Sequence, residues 1–228
     1  MIDKTYIINL EQRKDRKDKM IHELKRIGLN HYEFFKAIQP SQQDIIEWNP
    51  NFINPPPEWL YKTGADLNKY KAGALGCMKS HYEIIKNAYE NNYENILILE
   101  DDTKFLINEP FDNILDKLKP QLEIIKNDFG ILYFSGNHLS AKIKKITSNI
   151  SLVQGTLTTG SYIINRKAMK IVIEQLKNYG REIDVYYSTI LHNQMPCFCF
   201  IPHMTTQYSD FSDILQKNVS YNLSYTIH

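Results

Sequence analysis

The chain has 228 residues, 43% hydrophobic and 23% charged, the balance of a folded protein with a sizeable core and not of a disordered one. Lys and Arg number 27 against 26 Asp and Glu, a formal net charge of +1; this excludes a strongly basic nucleic-acid binder, so no nucleic-acid partner is expected. No apolar run reaches the roughly 20 residues of a membrane-spanning helix, and three cysteines do not make a disulfide framework.

Thr5 to Leu10 reads as a strand set deep in a sheet. Arg13 to Ile27 reads as a helix with Met20, Leu24 and Ile27 on one face, stopped by Gly28. A strand leading straight into a helix opens an α/β unit. His31 to Ala37 is the next predicted strand. Residues 39–68 carry Pro40, Pro50 and Pro55-Pro56-Pro57, which argue against regular structure over most of the stretch. An insertion of this length, rich in aromatics, is expected to wall a ligand site with Trp48 or Trp59 exposed to it, or else to be pinned to the body by them.

The spacing predicts a helix over 74–91, with Cys77, His81, Ile84, Ile85 and Ala88 as its apolar stripe. Gly73, Gly76 and Ser80 give it a small-residue face that another element can approach. Asn95 to Leu99 reads as a buried strand. A helix interrupted at Pro120 is expected over 111–126, strands at 130–134 and 161–164, and a surface excursion with Lys142, Lys144 and Lys145 over 138–149. A helix over 166–177, a short helix near Asp184 and a late strand from Phe198 to Ile201 complete the pattern. Four or five strands alternating with helices make the class α/β with a central, largely parallel sheet.

The sharpest feature is Leu97-Ile98-Leu99-Glu100-Asp101-Asp102. Ligands of open α/β sheets bind outside the carboxyl ends of the strands. Three carboxylates there repel one another unless a cation compensates, and hard divalent ions prefer such oxygen donors. Glu100 and Asp102 share one side of an extended chain. The structural alternative is a helix N-terminus, where acids cap and meet the dipole. No glycine-rich phosphate loop follows any strand, which argues against a dinucleotide fold and a P-loop enzyme.

In order along the chain stand Ile8-Asn9-Leu10 with Arg13 and Arg16, then Gly76-Cys77 with Ser80-His81, then the acidic cluster, then Leu132 to Gly136, Thr159 to Tyr162, Ile183-Asp184, and Gln207 with Ser212-Asp213-Ile214. This ordered set resembles glycosyltransferase family 25, which includes bacterial lipooligosaccharide galactosyltransferases and collagen galactosyltransferases. The resemblance implies a GT-A-type nucleotide-sugar-binding fold, one catalytic unit over 1–228, a UDP-linked donor and inverting transfer of galactose or glucose. It also implies Mn²⁺ or Mg²⁺, with Asp102 and Glu100 as metal ligands, and an acceptor hydroxyl on a glycan, a lipid-linked sugar (glycolipid) or hydroxylysine of a collagen-like protein. The alternatives are a metal-dependent nucleotidyl or phosphoryl transferase and a catalytically inactive carbohydrate-binding relative.

Arg13 and Arg16 share a helix face and suit a diphosphate, though a solvated basic face is the alternative. His81, Asn9, Asp101, Gln207 and Ser212 join them as donor-site candidates. Asp184 is the expected base and Asp213 its substitute, because inversion needs a carboxylate within reach of the acceptor hydroxyl; helix capping is the alternative for Asp184. Cys197 and Cys199, flanked by His192 and His203, do not have a usual zinc spacing. The sequons at Asn149, Asn218 and Asn222 are expected to be accidental. With no leader segment read, the expected location is cytoplasmic, with a membrane surface as the alternative, and the Asn-, Ile-, Lys- and Tyr-rich composition suits an AT-rich microbe or a large DNA virus.

Overall fold

The computed structural model describes residues 2–138, 141–215 and 217–219. Strand β1 (Lys4–Asn9) feeds helix α1 (Lys14–Arg26). Gly28 ends that helix with φ at +69°, while the Gly28 amide donates to the Lys25 carbonyl and the Leu29 amide to that of Leu24. These paired bonds satisfy two terminal carbonyls, and glycine carries the left-handed residue at no steric cost. Strand β2 (Glu33–Lys36) follows.

The insertion is more regular than its prolines imply. Helix α2 (Gln42–Trp48) forms behind a capping box, in which Ser41 and Asp44 satisfy each other's backbone amides. Helix α3 (Glu58–Lys62) starts just after Pro57, where the fixed proline φ suits helix entry. Helix α4 (Leu67–Glu90) begins a full two turns before Ala74, because the Asp66 side chain accepts from the amides of Asn68 and Lys69. Phe52, Ile53 and Leu60 are buried, and the Ile53 amide donates to Gly180 O at 2.7 Å. Prolines thus punctuate the segment without unfolding it.

Strand β3 (Asn95–Glu100) is followed by the short β4 (Thr103–Phe105). Helix α5 (Phe111–Ile125) runs unbroken through Pro120, against the expected interruption. Strand β5 (Ile131–Tyr133) comes next. The expected surface excursion is instead a hairpin, β6 (Lys142–Lys145) with β7 (Ile150–Gln154). Its outer strand exposes all three lysines, the usual protection of a sheet edge, and this charge hides the strand from a hydrophobicity reading. Then follow β8 (Ser161–Asn165), α6 (Arg166–Gln175) and α7 (Ile183–Tyr186). Strands β9 (Cys197–Phe200), β10 (Thr205–Gln207), β11 (Asp210–Ser212) and β12 (Lys217–Val219) end the described chain. Asn149 of the first sequon is half-buried and bonded to Gln121, with Ile150 and Ser151 buried after it; Ser220 and residues 222–224 of the others lie outside the described residues.

The main sheet has the order β2-β1-β3-β8-β5-β9-β7-β6. Six of these strands point one way; β8 and β7 run against them. Alternate residues of the central strands face two cores. Ile8, Ile98, Tyr133 and Tyr162 pack with α4 and α6, and Ile7, Leu99, Leu132 and Phe198 pack with α1 and α5. The result is a helix–sheet–helix sandwich, the α/β class expected of a GT-A-type transferase. Among the described residues no helix is long and apolar enough to cross a membrane.

Candidate active site

Strands β1 and β3 are parallel neighbours, with Ile8 opposite Glu100, so their carboxyl ends coincide. There Asn9 and Glu100-Asp101-Asp102 meet the start of α1. After Asp102 the chain turns into β4 and not into a helix, which rules out the capping alternative for the cluster. A cleft of about 420 Å³ opens over these residues, lined among others by Arg16, His81, Gln207, Ser212 and Asp213. A larger groove of about 940 Å³ lies at the opposite strand ends, beside Ile2, Leu29 and Asn95. The smaller cleft is the site of interest because the convergent charged groups line it.

Asp101 is buried and fully engaged. Its Oδ1 accepts from Arg16 at 2.9 Å and its Oδ2 from Asn9 at 2.7 Å. Burial raises its pKa, and these two donors only partly offset that. Arg16 also reaches Asp102 Oδ2 at 3.5 Å and donates to the Phe211 carbonyl at 2.8 Å. Asp102 Oδ1 accepts from Gln207 at 3.2 Å, yet burial and the adjacent Glu100 charge push its pKa up to about 7. Asp101 and Asp102 thus keep pKa values above the usual carboxylate range, Asp102 the more so. Glu100 Oε1 accepts from Thr159 at 2.8 Å and lies 3.4 Å from His81 Nε2. Burial opposes its ionisation, but His81, Thr159 and Arg16 together hold its pKa below the usual value. His81 is fully buried; its Nδ1 meets the Tyr162 hydroxyl at 2.7 Å, and its Nε2 is aimed at Glu100 without hydrogen-bond geometry.

Arg13 stands at the rim and is already held. It donates to Asp213 at 2.7 Å and to both oxygens of Asp15 at 3.0 Å, and lies 3.5 Å from Asp210. Ser212 lines the cleft and caps the following turn through its bond from the Leu215 amide. Asp184 stands outside the residues lining the cleft, as the second residue of α7. Its carboxylate accepts from the amides of Thr158 and Val185, and burial raises its pKa to about 6.

The small face of α4 is used as its composition predicts. A Cβ on Gly76 would lie 2.5 Å from the Ile38 carbonyl, and one on Gly73 3.1 Å from Ile214 Cα. Both approaching segments are cleft walls. The tryptophans do not serve as walls. Trp48 packs edge-on against Tyr82 at 5.4 Å, and Trp59, 43% exposed, against Tyr70 at 5.5 Å. They pin the insertion, and only its first residues, Gln39 and Pro40, reach the cleft. Thr159 and Tyr162, the direct partners of Glu100 and His81, carry no motif of their own in the sequence; only their place in the Thr159 to Tyr162 block marks them.

Several known proteins are similar to this chain. It is 27% identical to a glycosyltransferase 25 family member of Aedes aegypti over 215 residues, which cover 87% of this chain and 32% of that protein. Procollagen galactosyltransferase 2 of Homo sapiens is 27% identical over 206 residues, covering 85% of this chain and 31% of that one. The chain thus spans about a third of the length of these curated relatives. In overall fold it is similar to A197 from STIV, with a TM-score of 0.51 at 10% identity over 100% of this chain and 99% of that one. The model of glycosyltransferase family 25 (LPS biosynthesis protein) matches residues 2–187, a span holding the acidic cluster, both arginines, His81 and Asp184, and the chain belongs to that family.

Proposed function

We propose that this chain transfers a hexose, galactose or glucose, from a UDP-sugar to an acceptor hydroxyl, with inversion at the anomeric carbon. The observation that carries this is the meeting of Glu100, Asp101, Asp102 and Arg16 at the carboxyl ends of β1 and β3, in a cleft of small-ligand size in a family 25 chain. The names of the procollagen galactosyltransferase relatives favour galactose as the sugar and a collagen-like acceptor.

The donor set fits a hard divalent ion such as Mn²⁺ or Mg²⁺. Asp102 is a carboxylate with incomplete compensation and Glu100 is held ionised with Thr159 and His81 both meeting it at Oε1, whereas Asp101 has both oxygens committed to Arg16 and Asn9. Asp102 and Glu100 would therefore hold the ion, which when bound supplies positive charge to the diphosphate. Asp101 is a positioning group that fixes Arg16. His81, anchored by Tyr162, orients Glu100. Arg13 meets the diphosphate by giving up Asp213, an exchange of one anion for another that leaves its charge satisfied.

Asp184 is the proposed base. Its pKa near 6 suits proton transfer at neutral pH, and its Oδ2 is only lightly held, by one amide at 3.3 Å. Asp213, which lines the cleft and is released when Arg13 turns to the diphosphate, is the alternative base. A panel of UDP-sugars with Mn²⁺, with and without EDTA, tests the reaction class. Asp184→Asn should lower kcat by roughly 10²- to 10⁴-fold with donor affinity intact. Asp102→Asn should weaken metal and donor binding together. A full kcat in Asp184→Asn would remove it as the base, and transfer unaffected by EDTA would remove the ion.

A further inference from the structure

Away from the cleft, three segments bring together a second set of ligand-type side chains. His138 follows β5, Cys199 lies within β9, and His203 lies in the connection to β10. One ligand atom from each falls within 4.8 Å of the others. The two imidazoles face each other, with Nε2 to Nε2 at 3.1 Å. Both His138 and Cys199 are buried.

The chemistry of this set differs from that of the cleft. It offers two imidazoles and a thiol, with no carboxylate, a combination that suits a borderline-soft ion and not Mg²⁺. Zn–N distances of about 2.0–2.1 Å and Zn–S of about 2.3 Å put tetrahedral ligand atoms roughly 3.3–3.6 Å apart. The two imidazole nitrogens are already near that spacing. The other ring nitrogen of His138 meets the Thr156 hydroxyl at 2.9 Å, the outer contact that fixes a ligating imidazole in orientation and tautomer. Gly136 lets Thr156 and His138 come this close, because a Cβ there would collide with Thr156 Cγ2 and lie 3.1 Å from His138 Cε1. His192, the histidine that precedes β9, is spent elsewhere, on the Tyr133 hydroxyl and the Gly155 amide. Both thiols donate weakly to backbone carbonyls, Cys197 to Met195 and Cys199 to Phe200, but it is Cys199 that lies with the two histidines, and losing its proton gives up only that weak bond. The sequence pairs the wrong residues because His138 comes from a strand end some 60 positions earlier.

We propose that His138, Cys199 and His203 bind one Zn²⁺ ion, with water in the fourth position. Binding takes the proton from Cys199 Sγ and releases it to solvent. His138 keeps its hydrogen on Nδ1 toward Thr156, and the hydrogen shared between the two Nε2 atoms moves to Nδ1 of His203. One proton is therefore released per ion. His203 is half-buried and gives the ion its way in. The ion ties the β9–β10 connection to the end of β5. It reinforces two contacts already there, Met204 N to Phe134 O at 2.9 Å and Thr205 Oγ1 to Ser135 Oγ at 2.9 Å. Strand β10 then carries Gln207 to Asp102.

The test uses the full chain, stripped with a chelator and titrated with Zn²⁺ or Co²⁺ alone. One equivalent of Zn²⁺ should bind with release of one proton, and Co²⁺ should give a thiolate charge-transfer band. That band should persist in Cys77→Ser and vanish in Cys199→Ser. His203→Gln, at a half-buried position that leaves the core intact, should weaken binding by more than the roughly 10- to 100-fold expected for the outer-contact variant Thr156→Val. Circular dichroism of each stripped variant checks that it is folded. No uptake by the wild type overturns the proposal. So does a band that survives Cys199→Ser and is lost in Cys77→Ser, since the ion would then sit beside His81 and Glu100 in the cleft, the other such trio among the described residues.

Discussion

Replacing Arg16 with Met should cost far more stability than its single charge implies. The Arg16 side chain is 10% exposed and faces Asp101 and Asp102, whose side chains are 9% and 12% exposed. Removing one partner of a buried ion pair typically costs about 3–5 kcal/mol, mostly because a charge is left buried without compensation. Here Asn9 still bonds Asp101, and the Phe211 carbonyl, on an exposed residue, can be rehydrated. The loss should therefore sit near the lower end, about 3 kcal/mol. Arg16→Lys keeps the charge but lacks the fork that spans two carboxylates and a carbonyl, so its loss should be intermediate. Adding Asp101→Asn to Arg16→Met removes the orphaned charge and should recover more than about 1 kcal/mol, a coupling that a double-mutant cycle reads directly. Urea denaturation followed by tryptophan fluorescence, in EDTA, measures the wild type, both Arg16 variants, Asp101→Asn and the double variant. A loss below about 1 kcal/mol for Arg16→Met, or strict additivity with Asp101→Asn, would refute the view that Arg16 neutralises the acidic cluster.

Gly76→Ala should push the Ile38 carbonyl and Pro40 out of the cleft wall; overpacking of about 1–3 kcal/mol outweighs the gain of up to about 1 kcal/mol in helix propensity. UDP affinity by calorimetry should fall with it, and a more stable variant with unchanged affinity would contradict the packing. His192 is buried with its pKa lowered to about 4, so the native state holds it neutral. Its contribution is present above the unfolded value near 6.5 and is lost as pH falls toward 4, by about 3 kcal/mol at most. His192→Gln should show a correspondingly shallower decline of stability over that window in denaturation curves, and an unchanged slope would exclude it as the source.

The sequence alone determined the parts whose signals are local. A continuous apolar run makes Asn95 to Leu99 a central strand, Gly28 ends α1 through a left-handed turn, and Glu100-Asp101-Asp102 follows its strand directly, so the sheet must place it at a carboxyl end. The family was legible for the same reason, because its blocks are short and ordered. Signals spread over distance, or masked by their neighbours, needed the tertiary structure. Three lysines concealed the edge strand β6, and prolines concealed α2, whose capping box outweighs them, and α3, which Pro57 itself precedes. Arg13 looked like an open cation until folding brought Asp213 to it from 200 positions away. Asp101 looked like one of three equivalent acids until Arg16 and Asn9 occupied both its oxygens. His138 met His203 only because β5 and β9 pair in parallel, an arrangement fixed by two cores packing on opposite faces of one sheet. Local propensity decides where an element starts and stops; which side chains face one another is decided by the burial of both sheet faces, and that is a property of the whole chain.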